Sequence, residues 1–329
     1  MMRWMVGVCL AFCWLAAAAE DPAAAAARLV AATSDVVGFP ADGTAPFTVV
    51  AGDAIALGQA LEVGAEGGAR VRLHNGLIVD MGPDSLIVIA EQHTATSHDG
   101  DVQGASGLGV RLQHGQIRLD ADAVEGADTV FRASVPGAQM FTRHAEFGLR
   151  VDHVESIWVD VDQGAVLVAA QGETYTVDAG NAMVIHAGEL PSDVQPRLPA
   201  PDMAVSAVGQ SVTLAWPAQV DAVSYWLEVW SRTDDVLISQ HLSLLDTLSL
   251  SLPFGDYRFR LSAVDEQGIR GQFAHQSLDV RPVPQPPAPT LPDDEPAIAA
   301  PSEAADSEES SDRRGLMLFL ATAALLLLL

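Results

Sequence analysis

The stretch VVAGDAIALGQALEVGAEGGARVRLHNGLIVDMGPDSLIVI (Val49–Ile89) decides the fold of this chain. Apolar and polar residues alternate along it, and glycine or Asn-Gly separates the runs. The same pattern returns in Gly109–Ala123 and Trp158–Ile185. Alternation with period two between glycine turns is typical of half-buried antiparallel strands. The sequence therefore predicts an all-β protein.

One hairpin can be placed within this stretch. Asn75-Gly76 predicts a two-residue type I′ turn, because that turn needs positive φ at both positions. The flanking alternation predicts that Val71, Leu73, Leu77 and Val79 point inward. Further turns or bulges are expected at six glycines: Gly52, Gly58, Gly64, Gly115, Gly164 and Gly180.

Residues 34–191 resemble the FecR domain of bacterial envelope proteins. The matching segments are Ala51–Gly64, Arg70–Ile89, Gly109–Ala121 and Val161–Ile185. The resemblance implies an antiparallel β domain. His144-Ala145-Glu146-Phe147 stands where the family carries a Gly-Thr-x-Phe signature, and Phe147 is predicted to be a core residue.

Residues 203–282 follow a linker at 192–202 and look like a fibronectin type III or similar immunoglobulin-like sandwich. Short alternating segments about ten residues apart are typical of such a fold. Tyr257 stands where these folds place a corner tyrosine whose hydroxyl bonds back to the backbone. Trp226 and Trp230 should share one face of a strand. Together with Trp216 they suggest either a sugar-stacking platform or, more simply, packing in the core or on a sheet face.

Both ends of the chain have a different composition. Residues 1–19 are predicted to be a signal peptide, and it contains both cysteines, so the exported chain has no thiol chemistry. The Ala-rich residues 20–33 are predicted to be a short helix or linker. Residues 283–312 form a Pro-rich and acidic stalk without core-forming residues. Residues 313–329 are predicted to be an apolar helix that acts as a membrane anchor or sorting tail.

The charge of the chain excludes one class of partner. The net charge is −26, and all 17 basic residues are arginine. Such an acidic body repels phosphate backbones, so no nucleic acid is expected as a partner. The acidic residues are consistent with a solvated surface or with cations as partners.

No catalytic, cofactor or metal motif is visible. The nine histidines show no metal-binding spacing. Asp160 and Asp162, with Asp152 nearby, offer oxygen ligands for calcium. Acidic residues at alternate positions of a strand more simply form its solvent-exposed face. Asp120 and Asp122 form a second such pair. The sequence assigns no catalytic, cofactor-binding or metal-ligating residue, and the binding residues stay unknown.

These observations predict a non-enzymatic exported protein of the periplasm or cell surface. It would act in recognition or scaffolding, with an envelope protein or surface glycan as partner and the membrane contacted through the tail. The alternative is a FecR-type regulator in a sigma/anti-sigma pathway, because the family's founding member relays a receptor's state to a sigma factor. A third reading is an enzyme whose distant carboxylates meet in a cleft.

Overall fold

The computed structural model describes residues 25–92, 107–121 and 130–283. Every helix-or-strand element within these residues is a β-strand, which confirms the all-β prediction. The predicted signal peptide, stalk and C-terminal helix lie outside the described residues. Within the described part, no helix is long and apolar enough to cross a membrane. The chain up to Val283 forms one compact unit.

The strands follow one another in two groups. The N-terminal domain contains β1 (Ala27–Ala32), β2 (Val36–Phe39), β3 (Phe47–Val49), β4 (Ala54–Ile55), β5 (Ala60–Val63), β6 (Ala69–Leu73), β7 (Ile78–Met81), β8 (Leu86–Gln92), β9 (Gly107–Asp120), β10 (Phe131–Val135), β11 (Ala138–Thr142), β12 (Ala145–Val151), β13 (Ile157–Ala170), β14 (Glu173–Asp178), β15 (Asn181–Ile185) and β16 (Gln195–Pro196). The sandwich contains β17 (Ala204–Val208), β18 (Ser211–Ala215), β19 (Ser224–Ser231), β20 (Val236–Ser243), β21 (Thr247–Ser251), β22 (Gly255–Val264) and β23 (Ala274–Val280).

The N-terminal domain is built from two sheets that share β9 and β13. Sheet 1 has the order β4-β1-β6-β7-β9-β12-β13-β15-β16. Sheet 2 has the order β3-β2-β5-β8-β9-β10-β11-β13-β14. The β9–β10 pair is parallel and the other pairs are antiparallel. Apolar side chains from both sheets form one core, with Phe147 among its largest buried members, as predicted.

Glycines allow the two shared strands to pass from one sheet to the other. Residues before Gly115 in β9 pair within sheet 2, and residues from Gly115 onward pair within sheet 1. Gly164 occupies the equivalent point of β13, where pairing changes from sheet 1 to sheet 2. Both have positive φ, 89° and 72°. Strands that switch sheets in this way do so at bulges or bends.

The Asn75-Gly76 hairpin has the predicted inward residues but a different turn. Val71, Leu73, Leu77 and Val79 are all buried. Leu73 donates its N–H to the Leu77 carbonyl, so the loop has three residues rather than two. Positive φ occurs at Gly76 and not at Asn75. The type I′ prediction was therefore wrong, and a three-residue loop with glycine last takes its place.

The prediction of a helix or linker for the Ala-rich residues 20–33 is wrong for its described part. Ala27–Ala32 forms β1, which pairs with β4 and β6. Ala27 and Leu29 are buried while Arg28 and Val30 are exposed, which is strand alternation. Sheet pairing outweighs the helix propensity of alanine here.

The sandwich packs a three-stranded sheet, β17-β18-β21, against a four-stranded sheet, β20-β19-β22-β23. Its seven strands are short and follow one another closely, as the alternating segments of residues 203–282 predict. Their inner faces form a second core that includes Trp216, Tyr225 and Phe259. The Tyr257 hydroxyl donates to the Pro253 carbonyl at 3.0 Å, as predicted for a corner tyrosine.

Candidate functional site

The outer face of sheet 1 carries the polar half of each alternating strand. In β9, Ile117 and Leu119 enter the core, so Arg118 points the other way. In β13 the outward positions are Asp160 and Asp162. The sequence suggested a wet face or a calcium site for these two carboxylates. Asp160 is instead only 8% exposed, because the sandwich covers this face.

The sandwich contributes the outer face of its four-stranded sheet. In β19, Leu227 and Val229 enter the sandwich core, which leaves Trp226, Glu228 and Trp230 on the opposite face. The two tryptophans therefore share a face, as predicted. That face is buried beneath the N-terminal domain, so they pack on a sheet face and offer no open platform for sugar rings.

These two faces meet in a layer that we call the charged interlayer. Its members are Arg70, Asp80, Arg118, Glu146, Arg150, Trp158, Asp160, Asp162, Arg197, Trp226, Glu228, Trp230, Asp235, Arg258, Arg260, Arg270 and Phe273.

Arg197, in the linker between the domains, bonds to both of them. Its guanidinium donates to Asp162 at 2.5 Å and to the Val161 carbonyl at 3.1 Å in the N-terminal domain. On the sandwich side it donates to the carbonyls of Arg270 at 2.8 Å and Gly271 at 2.5 Å. The side chain is fully buried. Its planar fork is suited to several fixed acceptors at once.

A second arginine, Arg118, collects carboxylates within the N-terminal domain. Its Nε lies 2.9 Å from Glu146 Oε1, and its Nη2 forms an ion pair with Asp162. Across the interface, Arg260 of β22 lies 3.6 Å from Asp162 and 3.7 Å from Glu228. Glu146 and Asp162 thus each face more than one guanidinium, which compensates for the loss of water around them.

Aromatic rings fill the space between these charges. The Arg270 guanidinium lies 3.9 Å from the Trp226 ring centroid, and that of Arg150 lies 4.0 Å from the Trp158 ring. The Trp230 indole donates to Glu228 at 3.1 Å. Such cation–π contacts contribute about 2 kcal/mol or more where the cation is desolvated.

The electrostatics of the interlayer keep its carboxylates ionised. Burial acts to raise the pKa of Asp160, but Arg197 and Arg118 outweigh it and hold the pKa below its ordinary value. Burial likewise acts to raise the pKa of Glu228, and Arg260 with its neighbours again lowers it. These groups are fixed anions at neutral pH.

In two other members burial shifts the pKa toward the uncharged form. Burial raises the pKa of Asp80 above its ordinary value despite its contact with Arg70. Burial, reinforced by the nearby positive charge of Arg150, lowers the pKa of Arg270 to about 9. Arg270 stays protonated at neutral pH.

Glycines let the two layers approach closely. A Cβ atom at Gly68 would lie 2.9 Å from Leu237 Cβ of the sandwich. Within sheet 1, a Cβ atom at Gly148 would lie 2.7 Å from the carboxylate of its strand partner Asp160, so glycine there leaves room for this interlayer carboxylate. The cavity that remains between the layers has a volume of about 30 Å³. Since ligand pockets usually measure about 300 to 1,000 Å³, it does not hold an organic substrate.

The other residues that the sequence singled out do not converge. Among residues 25–92, 107–121 and 130–283, no group of three or more His, Cys, Asp or Glu side chains could hold a metal ion. His93, His98 and Asp122 lie outside the described residues. Asp152 accepts backbone N–H groups of its own turn and stays apart from the Asp160 pair.

The sequence did not predict the arginines of the interlayer. Arg118, Arg197 and Arg260 look like ordinary surface residues when only their own strand or linker is considered. One signal was present. β19 is apolar at Leu227 and Val229, and its opposite face carries Trp226 and Trp230 beside Glu228. Large apolar side chains on both faces of a strand indicate that both faces are covered.

Comparisons with known proteins found matches among solved structures but not among family models or curated proteins. No family model matches the chain, and no curated protein matches it. Two crystal structures of a candidate anti-sigma factor from Parabacteroides distasonis, at 2.50 and 1.65 Å resolution, are similar with 12% identity and a TM-score of 0.33. The similarity covers 42% of this chain and 59% of each of those chains. The chain thus spans less than two thirds of their length. No family model confirms a FecR domain here.

Proposed function

We propose that this chain is a non-enzymatic, exported envelope protein that acts in recognition or scaffolding. The observation that supports this best is the charged interlayer, which joins the two β domains into one compact unit. A single residue, Arg197, donates hydrogen bonds to four acceptors, two in each domain. The interlayer thereby fixes the two domains relative to each other, and their exposed loops keep a fixed arrangement.

The chemistry of the interlayer supports a structural role for its charges. A general acid or base works best with a pKa near the working pH. The pKa values of Asp160, Glu146 and Glu228 are instead held below their ordinary values by arginines that outweigh the effect of burial. Carboxylates of this kind hold position and do not exchange protons at neutral pH.

A recognition surface is available at one end of the sandwich. The strand register places the loops 216–223 and 244–246 at the same end, since Ser224 pairs with Val264 and Tyr225 with Ser243. These loops expose Val220 at 84%, Leu244 at 79% and Leu245 at 66%. Loops on a rigid scaffold commonly carry binding function, and apolar residues exposed together favour a protein partner.

Crosslinking in native envelopes tests this proposal. The full chain would carry an epitope tag in the exposed turn at Gly188 and would be captured after crosslinking, with mass spectrometry as the readout. A variant with L244S and L245S should lose the crosslinked partner. The matched control V208S changes an equally exposed residue, 77% exposed at the end of β17, and should retain it.

Three outcomes would contradict the proposal. Recovery of the chain in the cytoplasm would exclude export. Hydrolysis of an envelope substrate by the purified chain would exclude the non-enzymatic role. A crosslinked receptor and sigma-pathway regulator, both lost with L244S and L245S, would assign the chain to FecR-type signalling instead.

A further inference from the structure

Two arginines lie directly opposite each other on the outer face of sheet 1. Arg28 of β1 pairs with Arg72 of β6 in the antiparallel register. Both are exposed, while their strand neighbours Leu29 and Val71 are buried. His74 follows Arg72 by two residues and is exposed on the same face. Like charges directly opposite each other destabilise a sheet, so the presence of this arginine pair requires an explanation other than stability.

The described part of the chain supplies no counter-charge for this pair. Among the residues that the structure describes, no carboxylate lies within ion-pair distance of Arg28 or Arg72. Arg70, two residues earlier on β6, pairs with both Asp80 and Asp235. The whole chain has 43 acidic residues and only 17 arginines. Two neighbouring arginines without a carboxylate are therefore unexpected in this protein.

The pair lines an open groove with a volume of about 570 Å³. Its other walls include Val30, Gly52 and His74. Arg28 Nη1 donates to the Gly52 carbonyl, which holds that guanidinium in place. Gly52 has a φ of 99°, and a Cβ atom there would meet nothing within 4 Å, so this wall of the groove is open.

We propose that this groove binds phosphate groups carried by an anionic envelope polymer. The two guanidinium groups that line the groove provide planar donors and two positive charges, which match two neighbouring phosphate groups of a polymer with one negative charge each. The groove is open rather than closed, which suits a chain passing through it better than a small free ion. The acidic remainder of the body repels the polymer elsewhere and confines binding to this place. The envelope source of the polymer rests on the proposed function, whereas phosphate recognition rests on the groove alone.

Binding of short linear polyphosphate to the purified full chain tests this site. Wild-type chain should bind polyphosphate more tightly than polyglutamate of equal charge. The variant with R28Q and R72Q should lose about tenfold in affinity or more, since hydrogen bonds to charged groups are the strong ones. The control with R111Q and R232Q removes two other exposed arginines, so it changes net charge equally. It should bind like the wild type.

Each alternative result overturns the proposal in a distinct way. Equal losses in both double variants would show unspecific attraction. Equal binding of polyglutamate would show recognition of carboxylates, as in an acidic peptide. Inorganic phosphate bound as tightly as the polymer would indicate a free-ion site. The melting temperature should not fall in the variant with R28Q and R72Q, because the substitutions relieve a like-charge pair. These measurements use no envelope, so their failure leaves the crosslinking test intact.

Discussion

Gly164 fixes the bend of β13 because a side chain does not fit there. Its φ is 72°, and a Cβ atom would lie 2.0 Å from the His144 carbonyl oxygen. We predict that Gly164→Ala destabilises the chain by about 3 kcal/mol, the sum of left-handed backbone strain and overpacking. Urea unfolding of the wild-type and variant chains measures this difference.

Gly172 provides the matched control for that prediction. Its φ is 84°, but a Cβ atom there would meet nothing within 4 Å. Gly172→Ala should therefore show only the backbone cost, about 1 to 2 kcal/mol. Equal losses at both positions would mean that the contact with His144 relaxes and that Gly164 does not determine the bend.

At the scale of elements, β19 links the sandwich core to the charged interlayer. Its outward Glu228 accepts from Trp230 and lies 3.7 Å from Arg260, and it is buried. Glu228→Gln keeps the shape and an acceptor oxygen but leaves buried arginines with less negative charge. We predict a loss of about 3 kcal/mol or more in the free energy of unfolding, since breaking a buried pair leaves an uncompensated charge.

A mutant cycle and a surface control separate this effect from a general loss of charge. Glu66→Gln, at an exposed loop position, should change stability by less than about 0.5 kcal/mol. Arg260→Gln should be less harmful in the E228Q background than alone, because contacting residues couple. Simple addition of the two single effects would contradict the pairing across β19 and β22.

The elements also show what the sequence could predict. Period-two alternation predicted the buried residues of β6 and β7 and the shared face of Trp226 and Trp230, because pleating alone determines which side chains share a face. It did not predict what covers the other face. Asp160 and Asp162 carry the same pattern whether they face water or a second domain, and only the folded pairing of distant strands decides between them.

At the scale of the whole molecule, the interlayer determines how the domains unfold. Domain interfaces within a chain usually permit relative motion unless they are large and well packed. Here the interface contains largely buried ion pairs, guanidinium groups stacked on aromatic rings and a cavity of only about 30 Å³. Neither the N-terminal domain nor the sandwich can unfold without leaving charged side chains of the other domain unpaired. We therefore expect one cooperative unfolding transition at neutral pH.

Acid should weaken this coupling. The arginines outweigh burial and hold the pKa values of Asp160, Glu146 and Glu228 below their ordinary values. Groups of this kind stabilise the fold fully above their unfolded pKa, about 4, and lose that contribution as the pH falls through the lower folded pKa. Asp80, whose pKa is raised by burial, works in the opposite sense. Calorimetry of the full chain should show one transition near pH 7. At about pH 3 it should show a lower melting temperature and two separate transitions.

The E228Q chain should show a smaller acid shift in melting temperature than the wild type. Two transitions already at neutral pH, or equal acid shifts in both chains, would show that the interlayer does not couple the domains.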